Sequence, residues 1–179
     1  IVRGAVNFEA EGYRGLTPFF IPRALTNLAA GQVAMRPGAR GPRLCLSTSC
    51  ATGNHSIGEA SRHLRSGGAD IIVAGGAEAS VLPVGIAGFM VMKALAKRND
   101  EPQQASRPFD ADRNGFVMGE GAGVVVLESF EHAQARGARI YCELVGYSLA
   151  NDAFHITQPP QGHAGAVRCM KAALADGGV

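Results

Sequence analysis

Tryptophan is absent from this 179-residue chain and aromatic residues make up only 6% of it, so its 46% apolar content is mostly aliphatic. Charge is also sparse: 18% of residues, with 17 basic against 15 acidic, a formal net of +2. No run of lysine and arginine forms a phosphate-binding stripe, which leaves nothing that asks for nucleic acid as a partner. Low charge with nearly half the residues apolar excludes a disordered chain. The four cysteines, Cys45, Cys50, Cys142 and Cys169, form no CxxC pair and have no histidine-rich zinc spacing. They read as free thiols in a reducing compartment. No apolar run is long enough to span a bilayer, and no signal-peptide pattern opens the chain. Tandem repeats and low-complexity segments are missing too. The first residue is isoleucine, and the chain stops at Ala175-Asp176-Gly177-Gly178-Val179, where a strand would be expected next. Both ends are expected to lie inside a larger protein.

What is present is glycine, 24 residues of it, in a chain long enough for one domain with a sizeable core. Pro22, Leu25, Leu28, Ala29 and Val33 predict a helix over 20–36, ended by Arg36-Pro37-Gly38. Residues 43–48 read as a short strand. A helix is expected from about Cys50 to Arg65, with a small-residue stripe of Ala51, Gly53, Ile57, Ala60 and Leu64 and a stop at Ser66-Gly67-Gly68. Asp70 to Ala74, bounded by Gly75-Gly76, has the pattern of a buried parallel strand. A helical region over 83–97 carries Phe89, Met90, Met92 and Leu95. A long polar loop covers 99–114. Then come a strand over 124–128, a short helix over 131–136 ended by Gly137, a strand over 140–148, a loop through His155, and a helix over 164–175. The alternation predicts an α/β fold with a largely parallel sheet.

The chemistry centres on Leu46-Ser47-Thr48-Ser49-Cys50-Ala51-Thr52-Gly53, where a strand runs into a helix with a thiol at the junction. A helix N-terminus offers unpaired N–H groups and a positive dipole end. Both favour thiolate over thiol, and the same N–H groups can receive an oxyanion. The small residues after Cys50 would let a substrate approach, as in a nucleophile elbow. A buried, inert Cys50 is the alternative, and the residues alone leave both open. Cys45, Cys142 and Cys169 are expected to be inert in strand or helix interiors. His55 and His63 read as structural and His132 as solvated. His155, in a loop after a strand, is either catalytic or a brace for that loop. Arg107 to Asp110 and Asp112 to Phe116 suggest an Arg–Asp-braced loop rather than a hard-cation site. Gly119-Glu120-Gly121-Ala122-Gly123 precedes a strand, which suggests a close-packed backbone crossing rather than a phosphate cradle.

Six segments in order resemble the β-ketoacyl-[acyl carrier protein] synthases over nearly the whole chain. They are Ser47 to Gly53 around the nucleophile, Val73 to Glu78, Ser106 to Asp110, Gly115 to Gly123, Ala138 to Tyr147, and Asp152 to Thr157. The resemblance implies the thiolase-like fold, with two halves packed as α-β-α-β-α layers, usually as a homodimer. Residues 1–136 would be part of the first half and 137–179 the start of the second. It further implies that Cys50 takes an acyl chain from acyl carrier protein and that malonyl-[acyl carrier protein] then loses carbon dioxide and attacks the thioester. Phe89 would lie beside the acyl pocket. Thr157 and His155 would serve the incoming substrate arm. Arg14 and Lys93 would meet the acidic carrier protein, although plain solvated charge explains Lys93 equally well. No metal and no cofactor of its own is implied, since phosphopantetheine belongs to the carrier. The family's two further histidines and a lysine match no segment here and are expected beyond Val179, so this piece alone should be inactive. A polyketide ketosynthase is the nearest rival, but that branch usually has serines where Ala51-Thr52-Gly53 stand. A non-condensing partner subunit would lack Cys50, and Gly119 to Gly123 argue against a thiolase. A binding module that keeps the fold without turnover is the reading from another class. A bacterial cytoplasm or an organelle matrix is the expected location.

Overall fold

The computed structural model describes residues 1–179. At its centre, one helix packs on a two-stranded sheet. Helix α4 (Thr52–Arg65) lies on strand β1 (Ile71–Glu78), which pairs with β2 (Gly121–Glu128). The expected stripe on α4 is observed: Ala60 is buried, and Ala51, Gly53, Ile57 and Leu64 are part-buried. Gly58 and Ser61 complete the buried face, with the Ser61 hydroxyl donating to the Gly58 carbonyl at 2.7 Å. The helix stops where expected. Gly67 turns left-handed at φ +73°, and the Gly67 and Gly68 N–H groups bond back to Leu64 and His63.

The sheet differs from expectation. β1 and β2 are antiparallel, with Ile71 opposite Glu128 and Glu78 opposite Gly121. The connection through helix α5 (Pro83–Val91) and the 99–120 loop brings the chain back to the Glu78 end of β1, so β2 must run the other way. The only parallel pairing is an isolated bridge between Leu95 and Phe116. Both strands are longer than their apolar runs, because Gly75-Gly76 and Gly121 to Gly123 join the ladder instead of bounding it. Nor are the strands buried as a continuous apolar run would be: Val73, Val124, Val125 and Val126 are exposed. The segments 43–48 and 140–148 find no strand partner, so neither forms a strand.

Two helices also differ. The expected helix over 20–36 is broken into α2 (Phe20–Ala24) and α3 (Leu28–Met35). Leu25 is extended at φ −76°, ψ 121°. Thr26 and Asn27 follow it, residue types that compete with helical backbone bonding. Helix α5 ends at Val91 rather than near 97, because Lys93 takes a left-handed φ of +56°. The N-terminal helix α1 (Val2–Glu11), the short α6 (Phe130–Ala135) and the terminal α7 (Ala164–Gly177) complete the chain.

The sizeable core expected from length does not form. Only 7 of 179 residues are buried, and Ala60, Ala74 and Ala133 are the only apolar side chains among them. Helix α4 is the element that covers the sheet, and large apolar residues such as Val91 (81% exposed) and Val124 (66%) stay on open faces. No helix is long and apolar enough to cross a membrane.

Where β2 meets α6, Glu128 makes a charged clamp. It accepts from Arg136 Nε at 2.8 Å and lies 2.7 Å from His132 Nδ1. Ser129 caps α6 by accepting from the His132 N–H at 3.2 Å. His132, expected to be merely solvated, is therefore half-exposed and hydrogen-bonded to the Glu128 carboxylate. The hydrogen bonds from Arg136, then from His132, hold the Glu128 carboxyl down from 4.5 to about 2. A lowered carboxyl favours the folded state above its ordinary value, and that contribution disappears as pH falls toward about 2. An NMR titration of Glu128 should therefore show it ionised well below pH 4.5. Glu128→Gln should remove the corresponding part of the acid-unfolding slope.

Candidate active site

Residues 48–52 carry the chain from an irregular segment into α4. Ser49–Ala51 form a single 3-10 turn, and α4 starts directly after it at Thr52. Cys50 is exposed on this turn rather than buried. Its thiol makes no hydrogen bond, and its backbone N–H donates to no group in the chain. The turn thus presents a thiol and a free N–H side by side at the positive end of a 14-residue helix. That pairing suits a nucleophile that must also steady a developing oxyanion. The site sits close to β1: a Cβ added at Gly76 would meet the Gly53 Cα at 3.5 Å.

Beside this turn is a cavity of about 550 Å³ between α4, residues 144–152 and α7. Asn54, His55, Tyr147, Ser148, Asp152 and Cys169 line it. His55, expected to be structural only, meets the Tyr147 ring edge-on at 6.5 Å between centroids. Tyr147 lies flat against Gly58, with the Arg62 guanidinium 4.9 Å from its ring centre. Burial, then the nearby Glu59 charge, raises the Tyr147 phenol above its ordinary value, and its hydroxyl has no hydrogen-bond partner. Asp176 of α7 ties the assembly together, accepting from the Tyr147 N–H at 2.9 Å and from Arg65 at 3.2 Å. The sequence did contain a signal for this cavity: Ala51, Asn54, His55 and Gly58 follow helix spacing on one face of α4.

The other expected site residues each have their own local contacts. Phe89 stacks edge-on with Phe116 at 5.1 Å, tying α5 to the loop before β2. His155 and Thr157 come together in one tight loop. His155 Nδ1 accepts from the Thr157 and Gln158 N–H groups at 3.1 and 3.2 Å, so its ring braces the loop. No hydrogen bond joins either residue to Cys50. Arg14 is exposed in the 3-10 turn Gly12–Gly15, its guanidinium 5.8 Å from the Tyr13 ring centre. Lys93 is exposed at the end of α5, where the Lys93 and Ala94 N–H groups bond back to Met90 and Phe89. This position favours glycine, and a lysine there is strained. Lys93→Gly should therefore stabilise the protein by about 1 kcal/mol, measured by denaturant unfolding.

Three further expectations are settled here. Cys45 and Cys142 are exposed, because the segments expected to bury them as strands are unpaired. Cys169 is half-buried in α7 and donates to the Ser148 carbonyl at 3.4 Å. The 107–113 loop is braced as expected, with Arg107 on the Gln104 carbonyl at 3.0 Å and Arg113 on the Asp110 carbonyl at 2.8 Å. The glycine-rich 119–123 segment is not close-packed. A Cβ at Gly119, Gly121 or Gly123 would meet nothing within 4 Å, and the tight position is Gly75 on the facing strand.

Comparison with known proteins agrees with this geometry. The family model described as "Beta-ketoacyl synthase, N-terminal domain" matches residues 4–133, and the chain belongs to the β-ketoacyl synthase family. It is 54% identical over 180 residues to 3-oxoacyl-[acyl-carrier-protein] synthase 2 of Rhizobium meliloti (strain 1021), covering 100% of this chain and 43% of that protein. It is also 54% identical over 180 residues to the mitochondrial 3-oxoacyl-[acyl-carrier-protein] synthase of Arabidopsis thaliana, covering 100% of this chain and 39% of the relative. Among solved structures, a β-ketoacyl synthase from Burkholderia phymatum STM815 superposes with a TM-score of 0.91 at 35% identity, covering 99% of this chain and 43% of that one. A type II polyketide ketosynthase solved with its acyl-carrier protein (AntDE:AntF) gives 0.90 at 38%, covering 94% and 41%. The fold is thus part of the thiolase-like architecture, and the chain spans less than half the length of these relatives.

Proposed function

We propose that this chain is the nucleophile-bearing part of a 3-oxoacyl-[acyl carrier protein] synthase. The observation that carries the reading is Cys50, exposed on the turn that opens α4 with its own N–H free. The Cys50 thiolate attacks the carbonyl carbon of an acyl-[acyl carrier protein] thioester, the free N–H receives the oxyanion, and the carrier's phosphopantetheine thiol leaves. Malonyl-[acyl carrier protein] then loses carbon dioxide. The carbanion attacks the Cys50 thioester, and the thiolate is released as a 3-oxoacyl chain two carbons longer forms on the carrier. No cofactor beyond the carrier's phosphopantetheine enters this scheme. Phe89 would border the acyl chain, and His155 and Thr157 the phosphopantetheine arm. Arg14 and Lys93, both exposed and cationic, suit contact with an acidic carrier. A carrier protein bound to the AntDE:AntF ketosynthase supports such contact. The apolar residues left on open faces suit cover by the remainder of a full-length protein and by a homodimer partner. The 54% identity to a 3-oxoacyl-[acyl-carrier-protein] synthase supports fatty-acid elongation. Bacterial, mitochondrial and chloroplastic relatives support a bacterial cytoplasm or an organelle matrix as the location.

The test is to incubate the full-length protein with acyl-[acyl carrier protein] donors and record intact mass. A gain equal to the donor's acyl group, absent in Cys50→Ala, is expected. A folded protein that no donor labels would sink the proposal.

A further inference from the structure

The turn that presents Cys50 is held in a conformation its residues disfavour. Ser49 has φ +52°, the left-handed region that side-chain-bearing residues avoid. Thr48 before it sits at φ −132°, ψ 39°, outside both helix and strand. One hydroxyl closes the turn. Thr52 Oγ1 accepts from the Thr48 N–H at 2.8 Å and donates to the Ser49 carbonyl at 2.8 Å. Both bonds pass around Cys50 and neither uses it.

We propose that Thr52 is the positioning residue of the nucleophile turn. Its hydroxyl locks Ser49 in the left-handed conformation and so keeps the Cys50 thiol and N–H free at the start of α4. Neighbouring side chains do not duplicate this role. Ala51 and Gly53 carry no hydroxyl, and no side chain beyond Thr52 bonds to the backbone of 48–51. Threonine and serine can both make the two bonds, and valine, of nearly the same shape, can make neither.

The proposal rests on Cys50 being the acyl acceptor, but its test needs no acyl donor. Cys50 in the full-length protein is alkylated with iodoacetamide as a function of pH. Peptide-resolved mass spectrometry separates it from the exposed Cys45 and Cys142. Thr52→Val should slow Cys50 alkylation by about tenfold or more and change its pH profile, leaving Cys45 unaffected. Thr52→Ser should stay within about threefold of the parent. Adding Ser49→Gly to Thr52→Val should restore most of the rate, because glycine takes the left-handed conformation unaided. Should Thr52→Val fail to fold, this double variant carries the test, since it should fold and react. Parental alkylation in a folded Thr52→Val protein overturns the proposal, and so does a double variant that stays slow or unfolded. If alkylation follows this pattern while no acyl donor labels Cys50, the synthase reading fails and the positioning role stands.

Discussion

Gly75→Ala is expected to destabilise the protein by about 3 kcal/mol or more, while Gly76→Ala next to it is nearly neutral. The two residues face opposite sides of β1. A Cβ on Gly75 would run into the Gly123 carbonyl oxygen and would lie 2.7 Å from the Val124 Cα, both on β2. These are backbone atoms, which cannot swing aside as a flexible side chain can, so the strands must part. That pair is the only sheet in the chain, and it is the surface on which α4 rests. A Cβ on Gly76 would meet only the Gly53 backbone of α4, at 3.5 and 3.8 Å, an ordinary contact. Urea unfolding of the full-length variants measures both changes. Equal midpoints for the two would show that the β1–β2 spacing adapts to a methyl group and that Gly75 is not required for packing. Acylation of Cys50 should follow stability in Gly75→Ala and stay near the parental level in Gly76→Ala.

Local features were the ones legible in the sequence. The stop of α4 depends on residues within one turn, and Ser66-Gly67-Gly68 announced it. The stripe of small residues that packs α4 follows helix spacing, and the placement of Cys50 at the start of α4 needed only its neighbours. Pairing could not be read in the same way. The runs 43–48 and 140–148 have the apolar character of strands, but a strand is defined by a partner, and the chain places none beside them. Strand direction failed for a related reason: helix–strand alternation suggests crossover connections, and the path through α5 and the 99–120 loop instead returns to the end of β1 it left. The cavity beside Cys50 was missed because it needs contact between α4 and residues 144–152, about ninety positions apart in the chain. Spacing on α4 hinted at a buried face but did not say what would cover it. Phe89, Thr157, Arg14 and Lys93 entered through family resemblance rather than through physical pattern.

Cys50→Ser is expected to reduce chain elongation by the full-length protein by about 10³-fold or more, and Cys50→Ala to abolish it. Serine keeps nearly the shape of the side chain, so the 48–52 turn and its two Thr52 hydrogen bonds persist. What changes is the nucleophile. A hydroxyl at a helix N-terminus ionises far less than a thiol, and neither hydrogen bonds nor ion pairs place a general base on it here. Because Cys50 is exposed, either substitution should move unfolding free energy by no more than about 0.5 kcal/mol, which separates lost chemistry from lost fold. Elongation is read as 3-oxoacyl product on the carrier protein, and stability as the urea midpoint. Cys45 is the necessary control, since it is also exposed and lies only five residues away. Its thiol donates weakly to the Leu46 carbonyl at 3.8 Å, within an unpaired segment and away from any helix start. Cys45→Ala should therefore leave elongation unchanged. Substantial elongation by a folded Cys50→Ser protein, lost on removal of Cys45, would move the nucleophile five residues upstream and end the assignment of Cys50.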